Sequence, residues 1–133
     1  MKRRLSKLVL AVGVIMTLAI PVGAAELHGP HQGLDCKGST LSTLHFVNNQ
    51  TGGLDGIYLW VETSGGTIGP LPPADSRSRN NHWRVTTATG DTLINAWTTV
   101  GNDGPSRPLD ADGPGKLVLS SGKCKGGGSI FDD

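Results

Sequence analysis

Beyond residue 25 the chain is built from short runs in which apolar and polar positions alternate with a period of two, each closed by turn residues. The first run, Thr40 to Asn48, puts Leu44 and Phe46 on one side and His45 and Val47 on the other. The second, Gly56 to Thr63 (GIYLWVET), alternates Ile57, Leu59 and Val61 with Tyr58, Trp60 and Glu62. His82 to Thr89 carries Trp83, Val85 and Thr87 on one side. Thr92 to Val100 (TLINAWTTV) follows it after Gly90-Asp91, and Lys116 to Ser121 (KLVLSS) ends the set. A period of two marks half-buried strands. Weaker strand signals lie around 33–36 and 67–71. The tight Gly90-Asp91 step predicts that 82–89 and 92–100 form a hairpin.

Gly and Pro supply 25 of the 108 residues after Ala25, and Ser and Thr another 20. No ten-residue window then sustains a 3.6-residue apolar period, which excludes helix beyond a turn or two. Six or seven short antiparallel strands in about 100 residues fit an all-β fold. The expected architecture is a small antiparallel β-sandwich with an immunoglobulin-like outline; a small closed barrel is the other arrangement open to such strands.

The first 25 residues follow a different rule. A basic start (MKRRLSK) leads into a 13-residue apolar run, Leu8 to Ile20, and then Pro21-Val22-Gly23-Ala24-Ala25. Thirteen residues of helix reach about 20 Å, short of a ~30 Å hydrocarbon core, so the run reads as a cleaved signal peptide and not as a membrane span. Small residues permit cleavage after Ala24 or after Ala25. The expected organisation is a leader over 1–25, a flexible N-terminal segment over 26–35, one sandwich domain over 36–124 and a flexible tail over 125–133. The product is expected to be secreted or held at the cell surface, with no membrane insertion after cleavage.

Export makes the two cysteines legible. Cys36 and Cys124 are 88 positions apart, and an oxidising compartment favours their pairing. No C-x-x-C accompanies either one, which removes the usual redox motif. A bridge matters here because only 36% of the chain is hydrophobic and 5% aromatic. The charge balance shifts as well: after residue 25 there are 8 Lys+Arg against 11 Asp+Glu, a net −3. A mildly acidic domain gains nothing from phosphate counterion release, so nucleic acid is not an expected partner.

The strings HFVNNQTGG, GDTL and KLVLS, with Cys124 soon after, resemble small β-sandwich modules of exported bacterial surface proteins. The resemblance implies a fold and a compartment. It carries no activity with it.

Three places could bear chemistry. If the aliphatic row of Gly56 to Thr63 faces inward, Tyr58 and Trp60, with Glu62 beside them, form a flat strip suited to stacking on sugar rings or anchoring a protein. The opposite orientation is equally open to the pattern. Trp83 and Trp97 are expected in the core. Secondly, cleavage after Ala25 would leave Glu26-Leu27-His28 as a new terminus. Its amine, two amides and imidazole can wrap Cu(II) or Ni(II) in a square-planar set of four nitrogens. Thirdly, Asp103, Asp110 and Asp112 offer oxygen ligands for calcium, without the distal Glu of a helix–loop–helix site.

Motifs for catalysis are missing. There is no G-x-S-x-G and no glycine-rich phosphate loop ahead of a helix, and His45 and His82 read as solvated outward positions. The expected function is a secreted, non-catalytic binding or cell-surface module for an extracellular glycan or protein, with loops 72–81 and 101–115 as rims. Alternatives are a secreted metal-binding protein and an inhibitor of an extracellular hydrolase acting through Gly69-Pro70-Leu71-Pro72-Pro73.

Overall fold

The computed structural model describes residues 25–49, 56–74, 80–86, 88–100 and 117–131. Among them are eight strands: β1 (Ala25–Glu26), β2 (Leu34–Asp35), β3 (Leu41–Asn48), β4 (Ile57–Thr63), β5 (Gly66–Leu71), β6 (Asn81–Val85), β7 (Thr92–Val100) and β8 (Leu117–Cys124). They form two antiparallel sheets. The larger has the order β1–β7–β4–β5 with β2 also on β7; the smaller is β6–β3–β8. A single 3-10 turn spans Gly29–His31. The protein is therefore an all-β, two-sheet sandwich. Its middle strands follow the immunoglobulin-like outline, with β3 beside β6 in one sheet and β7–β4–β5 in the other. The end strands exchange places: β8 pairs with β3 instead of β7, and β1 pairs with β7.

The inner faces explain the alternation. Ile57, Leu59 and Val61 of β4 meet Leu44 and Phe46 of β3, Trp83 and Val85 of β6 and Leu117 and Leu119 of β8 in one buried cluster. The strand signals at 33–36 and 67–71 are β2 and β5. The hairpin expected across Gly90-Asp91 is corrected, because β6 pairs with β3 and β7 pairs with β4. Six residues separate β6 from β7 in sequence, enough chain to reach about 20 Å against a sheet spacing of about 10 Å. Alternation sets which face is buried; it does not choose the partner strand.

Described residues within 26–35 and 125–133, the two segments expected to be flexible, are bonded to the sheets. Over 26–35 the backbone is tied to both sheets. Leu27 is 0% exposed and donates its N–H to Ala96 O, and His28 N–H donates to Leu117 O, each at 2.8 Å. Residues 34–35 pair with Leu93 and Thr92. At the other end, Ile130 belongs to the core cluster, and its N–H donates to Gly122 O at 2.9 Å. Gly122 makes this possible. A Cβ there would lie 2.8 Å from Ile130 Cγ2, so the missing side chain is the space Ile130 fills.

Cys36 and Cys124 are bonded, with Cα atoms 5.7 Å apart. The bridge joins the segment after β2 in the larger sheet to the end of β8 in the smaller. A formed disulfide indicates an oxidising setting. No helix among the described residues is long and apolar enough to cross a membrane. At the end of the sandwich remote from the bridge the interior turns polar. Asn48 Nδ2 donates to Thr98 Oγ1 at 3.4 Å, and the same oxygen accepts from Ala25 N–H at 3.0 Å.

Candidate functional site

The outer face of the larger sheet gathers the aromatic strip. With Ile57, Leu59 and Val61 turned inward, Tyr58, Trp60 and Glu62 point away from the core. Register places Tyr58 opposite Thr99, Trp60 opposite Trp97 and Glu62 opposite Asn95. On the far side of β7, Glu26 stands opposite Trp97. One surface therefore carries two neighbouring indoles, a phenol, two carboxylates and an amide.

Polar contacts fix several of these groups. Trp60 Nε1 donates to Thr99 Oγ1 at 3.1 Å, which orients its ring along the sheet. Asn95 Nδ2 donates to Glu26 Oε2 at 2.6 Å. Gly69 of β5 packs against the indole of Trp60, where a Cβ would stand 2.8 Å from Cε3 and 3.0 Å from Cδ2. Only a residue without a side chain allows that approach.

The strip differs from its expected form in one respect. Trp60 is 7% exposed and Trp97 3%, although neither belongs to the cluster between the sheets. The indoles form a closed floor, and the half-buried Tyr58 and Glu62 are its accessible groups. Trp97 was expected in the core and lies on the outer face instead. The reason is a register shift between Glu62 and Thr63: Glu62 faces Asn95 while Thr63 faces Leu93, leaving Ile94 as an extra residue. That bulge inverts the phase, so Leu93 and Ala96 point inward and Asn95 and Trp97 outward. Glu26 and Asn95 join the surface for the same reason, and alternation alone carries no signal for either.

The proposed Cu(II) or Ni(II) terminus does not fit this fold. Square-planar wrapping needs the Leu27 and His28 amide nitrogens as ligands, and both donate to carbonyls of the sandwich while Leu27 is buried. His28 instead meets His31 edge-on at 5.1 Å, and His31 meets Phe131 at 5.4 Å. Nδ1 of His31 accepts the Leu119 N–H at 3.1 Å. Burial first, and His28 second, hold the His31 pKa below its ordinary value. Asp103, Asp110 and Asp112 lie outside the described residues, as do 75–79 of loop 72–81 and all of 101–115. Gly69, Pro70 and Leu71 belong to β5, so the expected inhibitor loop is in good part an edge strand. Among the described residues no cluster of three or more His, Cys, Asp or Glu is placed to hold a metal.

What these features define is a class: a small disulfide-closed β-sandwich with an aromatic and acidic outer face. No family model, curated protein or solved structure matches the chain.

Proposed function

We propose that this chain is an exported, non-catalytic recognition module whose contact surface is the outer face of the larger sheet. The observation that carries the reading is that Tyr58 and Glu62 stand half-buried and accessible on that face, beside the closed Trp60–Trp97 floor and across β7 from Glu26. A phenol ring beside carboxylate oxygens matches the two faces of a sugar: apolar C–H groups stack on the ring, and hydroxyls donate to the oxygens. A glycan of the extracellular setting is the favoured ligand. The signal-like leader, the formed disulfide and the likeness to exported surface modules support that compartment.

The test is binding of the purified chain to an array of bacterial and host surface glycans, repeated with Tyr58→Ala and Glu62→Gln. Both side chains are half-buried, and their variants are expected to melt close to the wild type while losing the signal. Retention of the signal in both variants, or no glycan bound at all, overturns the reading. Capture of a defined surface protein, lost in the same variants, would keep the surface and change the ligand.

A further inference from the structure

The outer face of the smaller sheet carries a second arrangement that glycan recognition does not use. β3 and β6 pair with Val47 opposite His82 and His45 opposite Arg84. His45 and His82 are thus diagonal neighbours on the face turned away from Phe46 and Trp83. Their rings are 5.3 Å apart and tilted by 30°. His45 Nε2 and His82 Nδ1 stand 3.2 Å apart.

We propose that His45 Nε2 and His82 Nδ1 are the two protein ligands of a site for a divalent transition cation of the zinc type. Two imidazole nitrogens bound to one tetrahedral zinc at 2.0–2.1 Å are about 3.3–3.4 Å apart. The observed spacing is within a few tenths of an ångström of this, so a cation can replace the shared proton with little ring movement. The ligands sit on hydrogen-bonded strands, which hold the spacing without the metal. Both rings are half-buried, so one side of the site opens to solvent and water completes the coordination. With two protein ligands it is an exchangeable site, in contrast to the closed four-ligand sites that hold a fold together.

Neighbouring charge sets its strength. Arg84 lies opposite His45 on β6, and Lys123 lies opposite Thr43 on β8. Both oppose a dication and keep the site weak.

The experiment titrates the purified chain with zinc chloride, following the histidine imidazole ¹⁵N–¹H correlations together with calorimetry. One equivalent is expected to shift His45 and His82, and His45→Gln or His82→Gln to weaken binding by about tenfold or more. Arg84→Gln is expected to tighten it, which a plain imidazole–imidazole hydrogen bond does not predict. The double variant His28→Gln, His31→Gln is expected to leave it unchanged. Zinc shifts confined to His28 and His31, affinity surviving in His45→Gln, or no shift at a large excess of zinc would each overturn the site. A melting temperature that rises with zinc in the wild type and not in His82→Gln confirms it on folded protein. None of these outcomes depends on glycan binding.

Discussion

Ser64 and Asp91, 27 residues apart, hold each other in both directions: the Ser64 hydroxyl donates to Asp91 Oδ1 and the Asp91 N–H donates to Ser64 Oγ, each at 2.9 Å. Thr92 adds its hydroxyl to the same carboxylate oxygen at 2.9 Å. The pair locks the β4–β5 turn to the start of β7. Hydrogen bonds from Ser64 first and Thr92 next hold the Asp91 pKa below its ordinary 3.8. A carboxylate with a depressed folded pKa contributes stability above its unfolded value, and that stability is lost as pH falls through the folded one. Asp91→Asn is therefore expected to melt below the wild type at neutral pH, with the gap closing below about pH 4. Melting curves of both proteins across that range check it; a gap that stays constant would sink the idea.

Removing the bridge should cost more than any single surface contact. Cys36 and Cys124 close a loop of 88 residues between the two sheets, and the chain-entropy model gives about 4–5 kcal/mol for such a loop. The double variant Cys36→Ala, Cys124→Ala is expected to lose roughly 2–5 kcal/mol in urea unfolding. A loss below about 1 kcal/mol would show that the β1–β7 and β3–β8 pairings alone hold the sheets in register.

Much of the fold was legible because alternation is unbroken in β4, in β6 and in β3 from Leu44 to Val47: Leu44 and Phe46, the Ile57–Leu59–Val61 row, and Trp83 with Val85 all point where their spacing puts them. The cysteine pairing followed from two thiols and a leader. Failures cluster where a local irregularity changes the phase or a short segment gains its order from distant partners. The extra residue at Ile94 turned Trp97 outward, and with it placed Asn95 and Glu26 beside the strip. Residues 25–28 have no strand pattern of their own; Ala96, Thr98 and Leu117 supply their hydrogen-bond partners. The His45–His82 contact joins residues 37 positions apart and needs the β3–β6 register to be known.

The N-terminal segment gives a direct test of that borrowed order. Leu27 is 0% exposed, so Leu27→Ala is expected to destabilise by about 2–5 kcal/mol, although it lies outside the main strand runs. His31, four residues on, accepts a backbone N–H at Nδ1, and its pKa is lowered by burial and then by His28. Protonation at Nδ1 ends that bond. The folded state then binds fewer protons than the unfolded one, so its contribution is whole above the ordinary 6.5 and is lost as pH falls through the lowered value. Stability is expected to drop on acidification from about pH 7 to about pH 5, and His31→Gln to flatten part of that drop. An unaltered pH profile in His31→Gln would remove His31 from the account.

Trp60 separates stability from recognition. As an exposed strip residue it would be dispensable to the fold; at 7% exposure, under the backbone of Gly69, it is part of it. Trp60→Ala is expected to cost roughly 3 kcal/mol, at the lower end of the range for large-to-small changes, while Tyr58→Ala costs about 1 kcal/mol or less. Gly69→Ala drives a methyl group against both Trp60 and the Leu59 carbonyl, at a φ of 140° that favours glycine. It is expected to destabilise the wild type more than it destabilises a Trp60→Leu background, because the smaller side chain relieves one of the two clashes. The two changes should fall short of additivity by about 0.5 kcal/mol or more in a double-mutant cycle of urea unfolding. Strict additivity would mean that Gly69 does not rest on the indole, and the closed floor of the strip would lose its support.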